Sequence, residues 1–429
     1  MKTDYAQALK ALSDELIAIQ KPILILDAIK WPQAIEQDFF AKGATALPTI
    51  PPDYYDGFPL SFDPKQIRSQ LANLKTKITT QLGGQDPLGA ILQETIEQYE
   101  LVVELVSQRG KPGFQRASQQ LYGSARDHLR GDKMTLIEMG QRLCHIFSLP
   151  AAKHLAAAYP KNIPADEAVR QLQRRLLPYF ADSAFTVKET DGIVSDASAG
   201  GDCIKVNTHA AFSSLDLQVL EVHEGWVHVG TTLNGRNQPW ASWLSVGSPR
   251  ITAPQEGLAV LIETLTFSSF PARARRISDR VVAIDLAENG ADFMEVYRYF
   301  IDQGLPPKDC YKIAQRVFRG GDIRGGSCFT KDLSYVKGFV ETVNFIRSAI
   351  LSDRPEVLPL MFVGKVALDD VPVLYHYQQE GLIAAPKYLP PMFKDLNGLY
   401  VWFGFSSGMS VLDVARVQDH FQALFRKIG

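Results

Sequence analysis

His223-Glu224-Gly225-Trp226-Val227-His228 places two imidazoles and a carboxylate within one short stretch, and Pro254-Gln255-Glu256-Gly257-Leu258-Ala259 brings a second carboxylate soon after. Upstream, Ser213-Ser214-Leu215-Asp216 has the form of a helix start, a serine cap with an acidic residue three positions on. Asn234-Gly235 supplies a stop, so the motif sits on a helix. A spacing of five is awkward there. Residues five apart on an α-helix diverge by about 140°, whereas a spacing of four keeps both on one face. A single π-type turn, with i to i+5 bonding, takes up the extra residue, and Gly225 would tolerate the distortion.

On that geometry His223 and His228 are candidate zinc ligands, and Glu224 is the candidate general base for the attacking water. The third ligand has to come from another element. Thr252 and Pro254 look like the cap and first turn of the next helix, which puts Glu256 near its start and aims it at a fixed spot. Two histidines and one glutamate leave the fourth position of a tetrahedral ion open, as a catalytic site requires. The alternative is a buried pair of structural histidines. Gln379-Glu380-Gly381-Leu382 repeats part of the second motif away from any HExxxH and reads as a turn or helix end, with His376 and Glu380 a lesser metal pair.

Composition narrows the class of partner. With 45 basic and 47 acidic residues the net charge is -2, which gives no electrostatic reason to expect nucleic acid or an anionic membrane. Apolar runs fall short of the roughly 18 to 20 residues that a membrane span needs. The start, Met1-Lys2-Thr3-Asp4-Tyr5-Ala6-Gln7, runs into an amphipathic pattern without a signal region. Cys144, Cys203, Cys310 and Cys328 form no CxxC pair, so they read as reduced packing residues of a cytoplasmic protein.

The surrounding chain is read as α+β and predominantly α-helical, with a zinc-peptidase-like core and a small antiparallel sheet. Helical periodicity dominates residues 1–165, a helical N-terminal region in which Pro22, Gly83-Gly84 and Gly110-Lys111-Pro112-Gly113 break the pattern. Helices are expected over 114–129 and 134–158. Residues 166–429 form a catalytic region with a C-terminal α/β extension. Within it Phe185–Glu189 and Cys203–Asn207 alternate like half-buried strands of a hairpin or small sheet, with Asp191-Gly192 and Gly200-Gly201 as turns. Beyond residue 353, Phe362–Val366 and Leu399–Phe403 look strand-like. A last helix is expected from Ser410 to Lys427, capped by Ser410 with Asp413 and buried along Val414, Val417, Phe421 and Leu424.

The two motifs together resemble the QEGLA-motif family of zinc metallopeptidases, the flavohemoglobin-expression-modulating proteins of bacteria and relatives of the microtubule-associated tyrosine carboxypeptidase. The likeness extends from about Asp191 to Phe339 and includes Asp196-Ala197-Ser198 and Arg316-Val317-Phe318-Arg319-Gly320. It implies zinc held by His223, His228 and Glu256, with Glu224 as base, the assignment reached above from chemistry. It also implies carboxypeptidase action on a peptide or protein C-terminus. The runner-up is a regulatory or binding protein that keeps the metal-site fold without peptidase activity.

Likeness to a carboxypeptidase family implies recognition of a peptide's free α-carboxylate, which calls for a planar cation. Arg316, Arg319 and Arg324 lie among Gly320-Gly321 and Gly325-Gly326, and Thr330 opens a helix bearing Lys331 and Tyr335. The four basic residues are candidate substrate-binding groups, and Tyr335 a candidate oxyanion donor; the alternatives are a basic surface loop and a core tyrosine. Glu263, two turns after Glu256, could orient a ligand histidine, although a solvated glutamate is preferred. His209 reads as structural.

Overall fold

Two long N-terminal helices begin alike, with an aspartate cap and a proline in the first turn: Asp63 before Pro64–Leu82, and Asp86 before Pro87–Ser107. Each aspartate accepts a backbone N–H of that turn, from Lys65 and Gly89. Ile67, Leu71, Leu74 and Ile78 recur at spacings of four and three and are buried. They pack with Leu9 and Leu16 of helix Lys2–Gln20, and with Trp243, Leu244 and Val363 from much later in the chain. A second cluster joins Trp31 and Phe39 to Phe293, Tyr311, Phe318 and Val336. Residues on both sides of position 165 therefore share two cores. The proline-rich aromatic stretch pins a crossing between them, because the buried Tyr55 hydroxyl accepts hydrogen bonds from the indole of Trp31 and the N–H of Gly320.

The computed structural model describes residues 2–157, 159–181, 185–191 and 193–427. The chain is α+β and predominantly helical, with strands confined to small sheets. Cys203–Asn207 is a strand as read, and the strand expected at Phe185–Glu189 runs one residue later, over Thr186–Thr190; the two pair in parallel, and the antiparallel partner of Cys203–Asn207 is Ala197–Gly200. The stretch between them is long enough to insert that strand, which a two-strand hairpin does not accommodate. The expected turn at Asp191-Gly192 lies partly outside the described residues. Ala197–Gly200 is an edge strand, and it runs beside the motif helix.

Several boundaries move. The helix from Gly113 ends at Tyr122, where Gly123 takes a φ of 87° that stops it. The next is split into Leu136–Phe147 and Pro150–Ala157, with Pro150 restarting the chain; Ala158 lies outside the described residues. Leu399–Phe403 is helical, within Asn397–Met409, and Phe362 ends a 3-10 turn in place of a strand. Those short apolar runs fit strand or helix equally well, and packing decided. The last helix, Val414–Phe425, is capped by Asp413 alone, and none of its residues is buried. Its apolar stripe faces outward, against expectation. Among the described residues no helix is long and apolar enough to cross a membrane.

Candidate active site

The helix that carries the first motif starts as its sequence requires, with Ser213 and Asp216 forming a reciprocal capping box. It continues through Ser214–Leu220 into a π-helical stretch, Glu221–Val229, and resumes α-helical winding over Gly230–Arg236. The π stretch absorbs the extra residue between the histidines. Their rings face one another at 4.8 Å between centroids and 86° between planes. Gly225 is small for a packing reason besides its pliancy: a Cβ there would stand 2.5 Å from a methyl of Leu176.

The second motif opens helix Thr252–Leu265, preceded by the 3-10 turn Pro249–Ile251. Each of its residues has a distinct task. Gln255 is buried and accepts hydrogen bonds from Thr231 at 2.9 Å and from Lys365 at 3.0 Å. Gly257 lets this helix cross Ser334–Leu351 at Gly338, where a Cβ on Gly257 would lie 1.9 Å from a backbone carbon. Leu258 and Ala259 are core. That leaves Glu256, which points into the space between the imidazoles.

Glu256 Oε2 lies 3.3 Å from His223 Nε2 and 3.6 Å from His228 Nε2. Two ligand atoms of one tetrahedral zinc stand roughly 3.4 Å apart, given bonds of about 2.05 Å. Oε2 is buried and has no hydrogen-bond partner of its own. Burial opposes ionisation of Glu256, but Lys331, whose Nζ lies 3.5 Å from Oε1, and the two imidazoles outweigh it and hold the carboxyl well below the usual range. Burial likewise opposes a charged His223, yet Glu256 and Glu263 raise its pKa to about 10. An orphaned carboxylate oxygen flanked by two ring nitrogens is a donor set that fits a zinc ion, which His223, His228 and Glu256 would hold.

A further layer fixes these groups. Glu263, read in sequence as a solvated residue, is fully buried, and its Oε1 accepts from His223 Nδ1 at 2.6 Å. Arg273 clamps both of its oxygens, at 3.0 and 3.3 Å. A carboxylate behind a ligand histidine fixes its tautomer and ring plane. The carbonyl of His228, displaced by the π winding, accepts from Lys365 Nζ and from the Thr232 hydroxyl, both at 2.9 Å. Glu224 accepts the Ala199 N–H at 2.7 Å, so the open edge of strand Ala197–Gly200 faces this carboxylate.

The remaining expected residues divide. Tyr335 is buried with its ring 6.4 Å from that of His223, and Arg316 lines the cavity beside His223 and Glu224 while bonded twice to Asp332. Lys331 reaches Glu256, as above. Arg319 and Arg324 do not line that cavity: the first is buried behind it over the Phe329 ring, and the second is paired with Asp322 at the surface. His376 and Glu380 pair with each other on an exposed helix end.

A model of the family described as "MATCAP: Microtubule-associated tyrosine carboxypeptidase" matches residues 37–411. The chain belongs to the MATCAP family. No curated protein matches the chain. Membership of a carboxypeptidase family directs attention to the cavity of about 140 Å³ on the Glu224 side of the cluster. Arg273, Arg276 and Arg280, spaced by three and four on helix Pro271–Glu288, all line it. That spacing is the sequence signal by which they could have been found. Arg273 is held by Glu263, Arg276 stands 4.0 Å from Asp216, and Lys312 bonds Asp196 at 3.0 Å. Arg280 differs. Its guanidinium lies 4.4 Å over the Tyr335 ring and 3.7 Å from Asp332, and its buried Nη1 has no hydrogen-bond partner. Burial and the neighbouring Arg316 push its pKa below the ordinary arginine value.

Proposed function

We propose that the chain is a zinc-dependent metallocarboxypeptidase that removes the C-terminal residue of a peptide or protein. The observation that carries this reading is Glu256 Oε2, buried and unpartnered between the Nε2 atoms of His223 and His228. Zinc bound there would supply Lewis acidity, bringing the pKa of a water toward ~7 and polarising the scissile carbonyl. Glu224 takes the proton of the attacking water and delivers it to the leaving amine. The Ala199 N–H holds one of its oxygens and leaves the other for that transfer. The open edge of Ala197–Gly200 receives the substrate main chain as an added strand. Tyr335 donates to the oxygen that gains charge.

The cavity sets the end of the substrate. Its volume, about 140 Å³, is close to the roughly 150 Å³ that admits a benzene ring, so one aromatic side chain fits. This accords with the tyrosine in the family's name. Arg280, with Nη1 free to donate, binds the α-carboxylate, and Arg316 beside it adds positive charge. The four free cysteines suit a reducing, cytoplasmic setting.

The test begins with metal analysis, which should give close to one zinc per chain, lost in His223→Ala. Glu224→Gln should keep the zinc and lose about a thousandfold in kcat or more, in the upper part of the range for a positioned general base. Peptides with a free C-terminal carboxylate should be cut and their amidated counterparts spared. Arg280→Met should cost roughly a hundredfold in kcat/KM on the free peptides. Undiminished activity in Glu224→Gln sinks the mechanism, and equal cleavage of amidated peptides sinks the carboxypeptidase assignment.

A further inference from the structure

The C-terminal pair of helices, Asn397–Met409 and Val414–Phe425, carries apolar surface that the rest of the chain leaves uncovered. The first anchors itself through buried Leu399 and Phe403 in the cluster that holds Ile350 and Phe362. Its outer face shows Trp402, Phe405 and Met409, exposed by 60%, 72% and 56%. The second helix has no buried residue, and Val414, Val417, Phe421 and Leu424 form its apolar line. Both lines run at spacings of three and four. Tyr400, Val401, Val411, Leu412 and Phe425 are exposed beside them, so the two helices and their turn present one joined apolar surface, without the basic face that a helix lying in a lipid surface carries opposite its apolar one. Charge agrees: residues 397–409 contain no charged side chain, and the second helix bears one arginine and one aspartate. The family match ends at residue 411, so the second helix belongs to this chain beyond the matched region.

We propose that this hairpin is the dimerisation element of the protein and that its occupant is a second copy of the same chain. Each copy owns two seams that do not cover one another. Laying Val414–Leu424 of one copy on Trp402–Met409 of the other, and repeating the contact by a two-fold axis, uses all four and closes the assembly. The exposed apolar side chains of the pair amount to on the order of 1,000 Å² per chain, above the roughly 800 Å² per partner of a stable interface and beyond the 300–600 Å² patch usual on a monomer. The proposal is independent of the peptidase reading.

Sedimentation equilibrium of the full chain tests it. The expected mass is twice the 47.7 kDa of one chain. Phe421→Glu and Trp402→Glu, one in each seam and both already solvent-facing, should each raise the dimer dissociation constant roughly thirtyfold or more, with thermal unfolding of the monomer unchanged. A wild-type chain that stays at 47.7 kDa up to its solubility limit overturns the proposal, and so does a dimer indifferent to both substitutions. Capture of a monomeric wild-type chain by phosphatidylcholine vesicles also overturns it, assigning the face to lipid.

Discussion

The cluster around His223 and the C-terminal hairpin stand at opposite extremes of constraint. Around His223 the charged groups are tied to one another, from Glu263 to Arg273 on one side and from Glu256 to Lys331 on the other. Along Val414–Phe425 no side chain is buried. Specific chemistry needs the first kind of environment, because an active group must be aimed before substrate arrives. An association surface needs the second, because its partner completes it. Substitutions should therefore be costly and specific in one region and almost silent in the folded monomer in the other.

The largest expected effect is at Glu263. Glu263→Ala leaves Arg273 buried without its partner, which should cost about 3–5 kcal/mol by urea unfolding. Glu263→Gln keeps the shape and should instead weaken zinc binding by roughly 10- to 100-fold, read by chelator competition. Acid should act on the same group. Burial resists its ionisation, but Arg273 and His223 prevail and hold the folded carboxyl at about 2, against 4.5 for an ordinary glutamate. Its contribution to stability is thus complete above pH 4.5 and is lost as pH falls from there toward 2. An acid-unfolding midpoint unmoved in Glu263→Gln would break the link between this pair and the fold.

Next comes the helix crossing that delivers Glu256. Gly257→Ala drives a methyl into the backbone at Gly338 and should cost about 3 kcal/mol, with a lower Tm and reduced zinc content together. A smaller effect is expected beneath the π stretch. Lys365→Met removes two hydrogen bonds, to the His228 carbonyl and to Gln255, at about 1–2 kcal/mol and roughly tenfold in zinc affinity. A tight, fully loaded Lys365→Met protein would show that the π winding holds His228 unaided.

How far each region was legible follows the same division. The convergence of His223, His228 and Glu256 was legible because the i to i+5 spacing of the histidines translates into a geometric requirement, a π turn. The helical class and the start at Ser213 followed from capping and periodicity, which are local. Arg273 and Arg280 share a helix face with Arg276 through their spacing of three and four, but that pattern does not say which cavity the face lines; Lys365 was missed because its partners, His228 and Gln255, lie in distant segments. Arg319 and Arg324 were proposed for substrate on composition alone, and their partners, Phe329 and Asp322, are equally ordinary neighbours for arginine. The final helix shows the limit most directly. Its stripe at 414, 417, 421 and 424 identifies an apolar face, but periodicity says which face is apolar and is silent on what covers it.

That last point carries the smallest expected effect and the sharpest contrast. Val417 and Val222 are both valines on an apolar stripe, one 44% exposed and the other 3%. Removing two methyl groups from Val222 opens space in the cluster shared with Leu258, Ile262 and Phe362, and Val222→Ala should cost about 2 kcal/mol. Val417 belongs to no buried cluster, so the effect of Val417→Ala on the monomer should stay within about 0.5 kcal/mol. Its effect on self-association should be visible at the same time, as a concentration-dependent Tm that weakens in the variant. Unfolding both variants at two protein concentrations separates the cases. If Val417→Ala were as destabilising as Val222→Ala in the dilute monomer, the helix would be packed within its own chain, and the division between an occupied core and a surface awaiting a partner would fail at that residue.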